Sequence, residues 1–477
     1  MNIEEKRKDI FPTQVCACEI LGTDLNIEEK RKDIFPTQVC ACEILGTDLK
    51  HRLDWKSRQS EIIRWIDRKE LYMVNIAILG YGTVGSGVVE VLHMNGESIS
   101  KRCGHDINVK YILDLRDFKG EPVENLIVHD YSIIVNDPEV KVIVEVMGGV
   151  EPAYSFVKEA ILKGKSVCTS NKELVAKHGA ELLELSKAQK VNFLFEASVG
   201  GGIPIIRPLN QSLTADEIEE ITGILNGTTN YILTKMSSDN ADFDTALKEA
   251  QAMGYAERNP KADVEGFDAC RKIAILSSLA FGMQVDFEDI YTEGITEISD
   301  IDVLYAATMG ASIKLLATSK KVGNRVYAMV APMLIKPTHP LFSVNGVFNG
   351  IFVRGNVIGD VMFYGSGAGK LPTASAVVAD VVDAAKHIGT NIMTFWSSRK
   401  LELTDIKAVE HRFFVRVADC DDKTKELIQE TFGEIEEIKA EGRDSDYAFI
   451  TDFLSEALYE EKAERIRKTL NRIRIMF

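Results

Sequence analysis

The sequence predicts an α/β protein: a doubly wound parallel sheet first, an α+β domain second and a small βαββαβ unit last. Three observations carry this. An apolar run beginning at Met73 ends in a glycine turn that opens a helix. Strand-like and helix-like segments then alternate as far as Ser198. From about Val409 the order becomes strand, helix, strand, strand, helix, strand. Strands alternating with helices imply parallel pairing, because each crossover helix packs back onto the sheet.

What precedes Met73 does not fit that plan. The string NIEEKRKDIFPTQVCACEILGTDL runs from Asn2 to Leu25 and again, unchanged, from Asn26 to Leu49. Two polar copies are too few for a stacked repeat, which needs about three. Cys16 and Cys18, like Cys40 and Cys42, are separated by one residue, tighter than a zinc knuckle. No charged start followed by an apolar stretch marks a secretory signal. Residues 1–72 are therefore expected to be an upstream extension outside the fold, with Met73 as the working start.

Composition narrows the class. At 45% hydrophobic and 27% charged residues the chain has the make-up of a globular protein. A formal charge of −16 opposes a phosphate backbone and so excludes nucleic acid as partner. No apolar run reaches the roughly 18 residues that span a bilayer, so a cytoplasmic location is expected. Cys103, Cys168, Cys270 and Cys420 are scattered, as reduced core thiols would be.

The first folded unit, MVNIAILGYGTVGSGVVEVLHMNG, is strand, turn and helix. Gly80-Tyr81-Gly82-Thr83-Val84-Gly85 fills G-x-G-x-x-G between the two. Gly80 permits the tight turn, Gly82 lets the backbone approach a pyrophosphate, and Gly85 allows close helix packing. The helix N-terminus faces the negative charge. This is a Rossmann-type dinucleotide site. At the end of the next strand, an acid selects a free ribose 2′-hydroxyl and an arginine accepts a 2′-phosphate. Asp114 and Arg116 both stand there, so NAD and NADP remain alternatives. Further strands at KVIVEVMGG, SVCTSNK and VNFLFEAS alternate with helices at Pro152 to Leu162 and Asn171 to Gln189. Ligand chemistry belongs at the carboxyl ends of such strands, where Gly148-Gly149 and Asn171-Lys172 fall.

Beyond the sheet, Glu196 and the glycines of FEASVGGGIPIIRPL offer oxygen ligands only, suited to a hard cation or merely a flexible loop. Asp268 and Lys272, four apart, share one helix face at the start of an apolar helix. The plain alternative is a surface ion pair. A lysine kept near a buried helix start is a candidate acid/base, since desolvation lowers its pKa.

GYGTVGSG, TSNKELVAKHG, FEASVGGGIPII, ILNGTTNYIL and GYAERNPKADVEGFDACRKIAIL, in that order, resemble homoserine dehydrogenase over Met73 to about Ala385. The resemblance implies reversible, NAD(P)-dependent interconversion of L-homoserine and L-aspartate 4-semialdehyde, in threonine, methionine and isoleucine biosynthesis. It implies an acid/base role for Lys272 and places Lys172 between nicotinamide and substrate. Glu257, Asp263 and Asp268 then bind substrate, with Gly227 and Thr228 beside it. Glu196 with the carbonyls of Val199, Gly201 and Ile203 becomes a monovalent cation site, usually sodium. The turn Gly365 to Gly369, with Gly367, returns to the cofactor domain, and the substrate domain's sheet makes a homodimer or homotetramer contact. Expected domains are 73–205 for NAD(P), 206–385 for catalysis and dimerisation, and 409–477 as a tail resembling an ACT domain. The first tail turn, DCDDKTKEL, lacks the Asp-x-Pro-Gly stretch that usually receives an effector, so regulation and oligomerisation stay open as its role. A thiolate-dependent aldehyde dehydrogenase and a cofactor sensor without turnover are the rival readings. The first needs a nucleophilic Cys168 or Cys270, and the second has no use for a proton-carrying lysine.

Overall fold

The computed structural model describes residues 73–392, 396–440, 446–466 and 469–477, which fall within one contact unit, Tyr72–Phe477. The duplicated segment and the rest of the expected extension lie outside the described residues.

Six parallel strands form the first sheet: β1 Met73–Leu79, β2 Asp106–Leu113, β3 Ile127–Val128, β4 Val140–Glu145, β5 Ser166–Thr169 and β6 Phe193–Leu194. Their order, β3-β2-β1-β4-β5-β6, is that of a dinucleotide-binding sheet. Alternate residues of a strand face opposite sides. Ile76 and Ile78 of β1 join Val142 and Val144 of β4 in the core under helices α1 (Thr83–Cys103) and α6 (Lys370–Lys386). Ala77, Leu79 and Ile143 face the other way, toward α2 (Ala153–Leu162) and α3 (Lys172–Gln189). Both faces being covered is why β1 is continuously apolar from Ile76 to Leu79 and β4 from Val142 to Val144. α6 comes from the far end of the chain. It packs so closely on α1 that a Cβ at Gly87 would sit 2.9 Å from the carbonyl oxygen of Lys370.

The glycine turn is built as its spacing requires. Gly80 has φ +99°, and a Cβ at Gly85 would lie 2.0 Å from the Gly80 carbonyl oxygen. Gly85→Ala is expected to push α1 off the turn and weaken nicotinamide dinucleotide binding at least tenfold, read by fluorescence titration. An unchanged Kd would show that the helix need not sit so close.

The segment 191–198 is not the full strand its apolar pattern predicts. Only Phe193–Leu194 pair, and Glu196–Ser198 form a 3₁₀ turn. The Glu196 amide donates to Asp380 Oδ2 (2.8 Å) while its carboxylate takes three amides at 205–207, drawing the chain off the sheet.

The second sheet carries the substrate domain and the tail together. Strands Gly359–Ser366, Phe348–Gly355, Ile218–Ile224, Ser312–Val322 and Arg325–Ile335 lie side by side. Thr469–Ile475, Glu410–Ala418, Asp446–Thr451 and Ile435–Ile438 continue the same sheet. In tail order that is fourth, first, third, second, joined to the substrate domain by parallel pairs Met333 with Arg474 and Leu334 with Ile475. The stretch EIKAEGRD predicts a second tail strand from Glu437, but the strand begins at Ile435. The preceding helix ends at Phe432, and Gly433, with φ +79°, turns the chain at once. Residues 441–444 of that expected strand are outside the described residues. Among the described residues, no helix is long and apolar enough to cross a membrane.

Candidate active site

Three helix starts converge at the carboxyl edge of the first sheet. Asn171 ends the β5 turn and caps α3 by accepting the Leu174 amide (3.1 Å), which makes Lys172 the first helical residue. Asn226 caps α4 (Gly227–Asp239) by accepting the Thr229 amide (2.9 Å). Gly266, with φ +82°, opens α5 (Phe267–Phe281), so Asp268 and Lys272 point the same way from its first two turns.

Asp268 is the hub. Its Oδ1 lies 2.5 Å from Lys172 Nζ and its Oδ2 2.8 Å from Lys272 Nζ. Asn226 Nδ2 donates to the same Oδ2 (3.0 Å) and to Asp263 Oδ1 (2.7 Å). Lys272 also donates to the Leu225 carbonyl (2.7 Å). Asp268 and Lys272 are buried and Lys172 is half-buried, so this is no surface ion pair. Burial works against the Asp268 carboxylate, but Lys272 and Lys172 outweigh it and hold its pKa well below the usual range. Burial lowers the Lys272 pKa, with Lys172 adding to the fall and Asp268 opposing it. Burial acts on Lys172 too, yet Asp268 leaves its pKa raised. Asp263 is raised, by burial first and then by Asp268. Two lysines on one carboxylate, driven in opposite directions, are an arrangement that can serve acid/base chemistry.

Thr228 donates from Oγ1 to the Tyr255 carbonyl (2.6 Å), tying the start of α4 to the Tyr-Ala-Glu segment. A Cβ at Gly227 would stand 2.7 Å from the Val347 carbonyl oxygen. Glu257 is exposed and is not among the groups gathered at Asp268; its backbone carbonyl accepts from Gln251 (3.1 Å). Asn226 is the residue missed from sequence. Its signal was its place as helix cap directly before Gly227-Thr228.

A groove of about 840 Å³ runs past Tyr81, Gly82, Thr83, Arg116, Phe118 and Lys370. A Cβ at Gly82 would meet nothing within 4 Å, so the backbone lies open there. Val84 instead packs its side chain against the core beneath α1. Asp114 accepts from the Tyr81 amide (2.8 Å), the Arg116 amide (3.0 Å), Arg116 Nε (2.9 Å) and Arg116 Nη2 (2.9 Å). Arg116 stacks on Phe118, 4.9 Å from its ring centre.

Glu196, Val199 and Ile203 are buried. The Glu196 carboxylate is engaged by the amides of Ile205 (2.6 Å), Ile206 (2.9 Å) and Arg207 (2.8 Å). Gly201 and Gly367 interlock: a Cβ at Gly201 would be 2.2 Å from the Gly367 carbonyl oxygen, and one at Gly367 1.9 Å from Asn349 Nδ2. Burial raises the pKa of both Cys168 and Cys270, which disfavours the thiolate that a nucleophile at either position needs.

Comparison with known proteins agrees with this geometry. Residues 80–196 match the family model "Homoserine dehydrogenase, NAD binding domain" and residues 204–382 match "Homoserine dehydrogenase". The homoserine dehydrogenase of Synechocystis sp. is 46% identical over 358 residues, 73% of this chain and 80% of that protein. That of Bacillus subtilis is 41% identical over 320 residues, covering 66% and 73%. Among solved structures, a homoserine dehydrogenase from Thiobacillus denitrificans superposes with TM-score 0.77 at 35% identity, covering 85% of this chain and 98% of that one. A hyperthermophilic archaeal homoserine dehydrogenase mutant in complex with NADPH gives 0.57 at 30% identity, covering 65% and 97%. With a nicotinamide-binding sheet, an Asp268 hub between two lysines, and these matches, the chain belongs to the homoserine dehydrogenase family, NAD(P)-dependent oxidoreductases.

Proposed function

We propose that this chain interconverts L-homoserine and L-aspartate 4-semialdehyde with NADP(H), Lys272 carrying the hydroxyl proton. The observation that supports it most is Asp268 held between Lys172 and Lys272 at 2.5 and 2.8 Å. The nicotinamide supplies the hydride chemistry when bound. Burial lowers the pKa of Lys272, which favours its neutral amine, the form that accepts a proton. Lys172, with its raised pKa, stays cationic and favours negative charge developing on the substrate oxygen. Asp263 and Glu257 are left to receive the substrate ammonium, Asp263 beside Asn226 and Glu257 as an exposed carboxylate. The test is reduction of NADP by the full chain with L-homoserine at alkaline pH, followed by absorbance. NADP binding without turnover would return the argument to a sensor.

NADP is favoured over NAD because the four hydrogen bonds to Asp114 leave its carboxylate little capacity for ribose hydroxyls, while Arg116 lines the groove. Arg116→Ala is expected to lower kcat/KM for NADP about 10- to 100-fold, the worth of hydrogen bonds to a charged group. NAD should hold or gain, since Asp114 is freed. Equal losses with both cofactors would refute the assignment.

For the cation, the Glu196 backbone with the carbonyls of Val199, Gly201 and Ile203 is the oxygen set we assign to sodium, the Glu196 carboxylate being engaged by amides. We assign domains 73–205, with α6 returned to it, 206–385 and 409–477; the first sheet supports the first of these, and the ACT-like tail extends the second sheet. Assembly into at least a dimer is assigned to the substrate-domain sheet, whose edge strand exposes Met362 and Tyr364.

A further inference from the structure

Glu145 ends β4 fully buried, at 0% exposure, in register with Thr169 at the end of β5. Its Oε1 accepts the Met147 amide (2.8 Å) and its Oε2 the Thr169 hydroxyl (2.6 Å). That hydroxyl oxygen accepts the Asn171 amide (2.9 Å). Asn171 Nδ2 donates across to the Gly149 carbonyl (2.6 Å), and Asn171 Oδ1 caps α3, whose first residue is Lys172. One carboxyl group therefore grips two turns. The first, after β4, carries Gly148 and Gly149 at φ +84° and +73°; the second presents Lys172 to Asp268.

Among the described residues, no lysine, arginine or histidine pairs with Glu145. Burial raises its pKa, with the hydrogen bonds from Thr169 and Met147 opposing. A buried carboxyl without a cation costs stability unless its hydrogen bonds are made. What it gains is geometric: both turns are referred to one rigid strand end, at the edge where this fold places its ligands.

We propose that Glu145 is a positioning residue for the reaction, acting through Thr169 and Asn171 to set the Lys172 turn against the Gly148-Gly149 turn. This rests on the reading of Lys172 as a group beside the reacting carbon. Misplacement of a reacting group by about 1 Å can cost about 10²-fold in rate. Glu145→Ala is accordingly expected to lower kcat about 10- to 100-fold, with KM for homoserine and NADP kept within about threefold. Thr169→Val, which removes the relaying hydroxyl at equal size, should do the same. Glu145→Gln and Thr169→Ser keep acceptor or hydroxyl and should retain most of the rate.

The discriminating experiment is a cycle with Lys172→Ala, each kcat taken per folded molecule. Glu145→Ala should cost less than about threefold when Lys172 is already gone, because residues acting as a unit are non-additive. In the enzyme without cofactor, acetylation of Lys172 by acetic anhydride, followed by mass spectrometry, should accelerate in Glu145→Ala and not in Glu145→Gln. A slow Lys172→Ala enzyme in which Glu145→Ala still costs its full factor overturns the Glu145 proposal alone. A Lys172→Ala enzyme with unchanged kcat overturns the reading of Lys172, and the proposal with it. Loss of stability with kcat per folded molecule unchanged assigns Glu145 to packing and also overturns it.

Discussion

Replacing Lys272 with alanine is expected to lower kcat by about 10²- to 10⁴-fold, the usual worth of a positioned proton carrier, with KM for homoserine moved far less. Lys272 is buried and its pKa falls, whereas that of Lys172 rises beside the same carboxylate. The wild-type rate of homoserine oxidation should therefore climb with pH as Lys272 loses its proton, with its inflection below the ordinary lysine value of roughly 10.4. Semialdehyde reduction needs the protonated form and should fall over the same range. In Lys272→Ala both limbs should flatten. Should Lys272→Ala keep its kcat and its pH limb while Lys172→Ala loses both, the proton belongs to Lys172. Folding is a separate matter: Asp268 would still hold Lys172 at 2.5 Å and Asn226 at 3.0 Å, so thermal unfolding of the variant gives the control.

The glycine turn and the parallel sheet were legible because their signals are local. Gly80 and Gly85 meet across a few residues, and the apolar runs of β1 and β4 reflect burial on both faces. Asp268 with Lys272 was legible for the same reason, being one turn apart on α5. Glu196 was legible as an acid in a glycine loop but not as to where its carboxylate points. Its partners, the amides at 205–207, are claimed by a backbone bend that periodicity does not encode. Asn226 escaped notice because a helix cap looks structural until two carboxylates from 263 and 268 are seen on its amide. Glu145 lay in an unremarked strand end. Only the sheet order, which sets β4 beside β5, brings it to Thr169. The joining of the tail to the substrate domain was equally hidden, since parallel pairing of Leu334 with Ile475 leaves no mark in either strand alone.

That joining supports the second large effect. Arg474 is 0% exposed, with Glu456 Oε1 and Oε2 at 2.6 and 3.0 Å and Glu293 Oε2 at 2.8 Å. Removing one partner of a buried pair leaves a charge uncompensated, so Arg474→Ala is expected to cost about 3–5 kcal/mol in denaturant unfolding at neutral pH. The loss should carry its own pH signature. Burial alone would raise Glu456, but contacts with His411 and Arg474 pull it down to about 2. Stability drawn from the ionised Glu456 is thus complete above its unfolded value of roughly 4.3 and is lost as pH falls toward about 2. The gap between wild type and Arg474→Ala should close over that window; a gap constant with pH would assign the cost to packing. The same variant should also raise KM for homoserine. Glu293 precedes Gly294, where a Cβ would stand 2.3 Å from the Val264 carbonyl oxygen, and Ile295 donates to that oxygen (2.8 Å) one residue beyond Asp263. A doubly apolar variant, Arg474→Met with Glu456→Leu, removes both charges together and should regain much of the stability, Glu293 keeping Arg472 at 3.2 Å. If it regains stability while KM for homoserine stays raised, the buried pair serves to hold the Asp263 loop from the tail; if both recover, the pair is only one way of filling the seam.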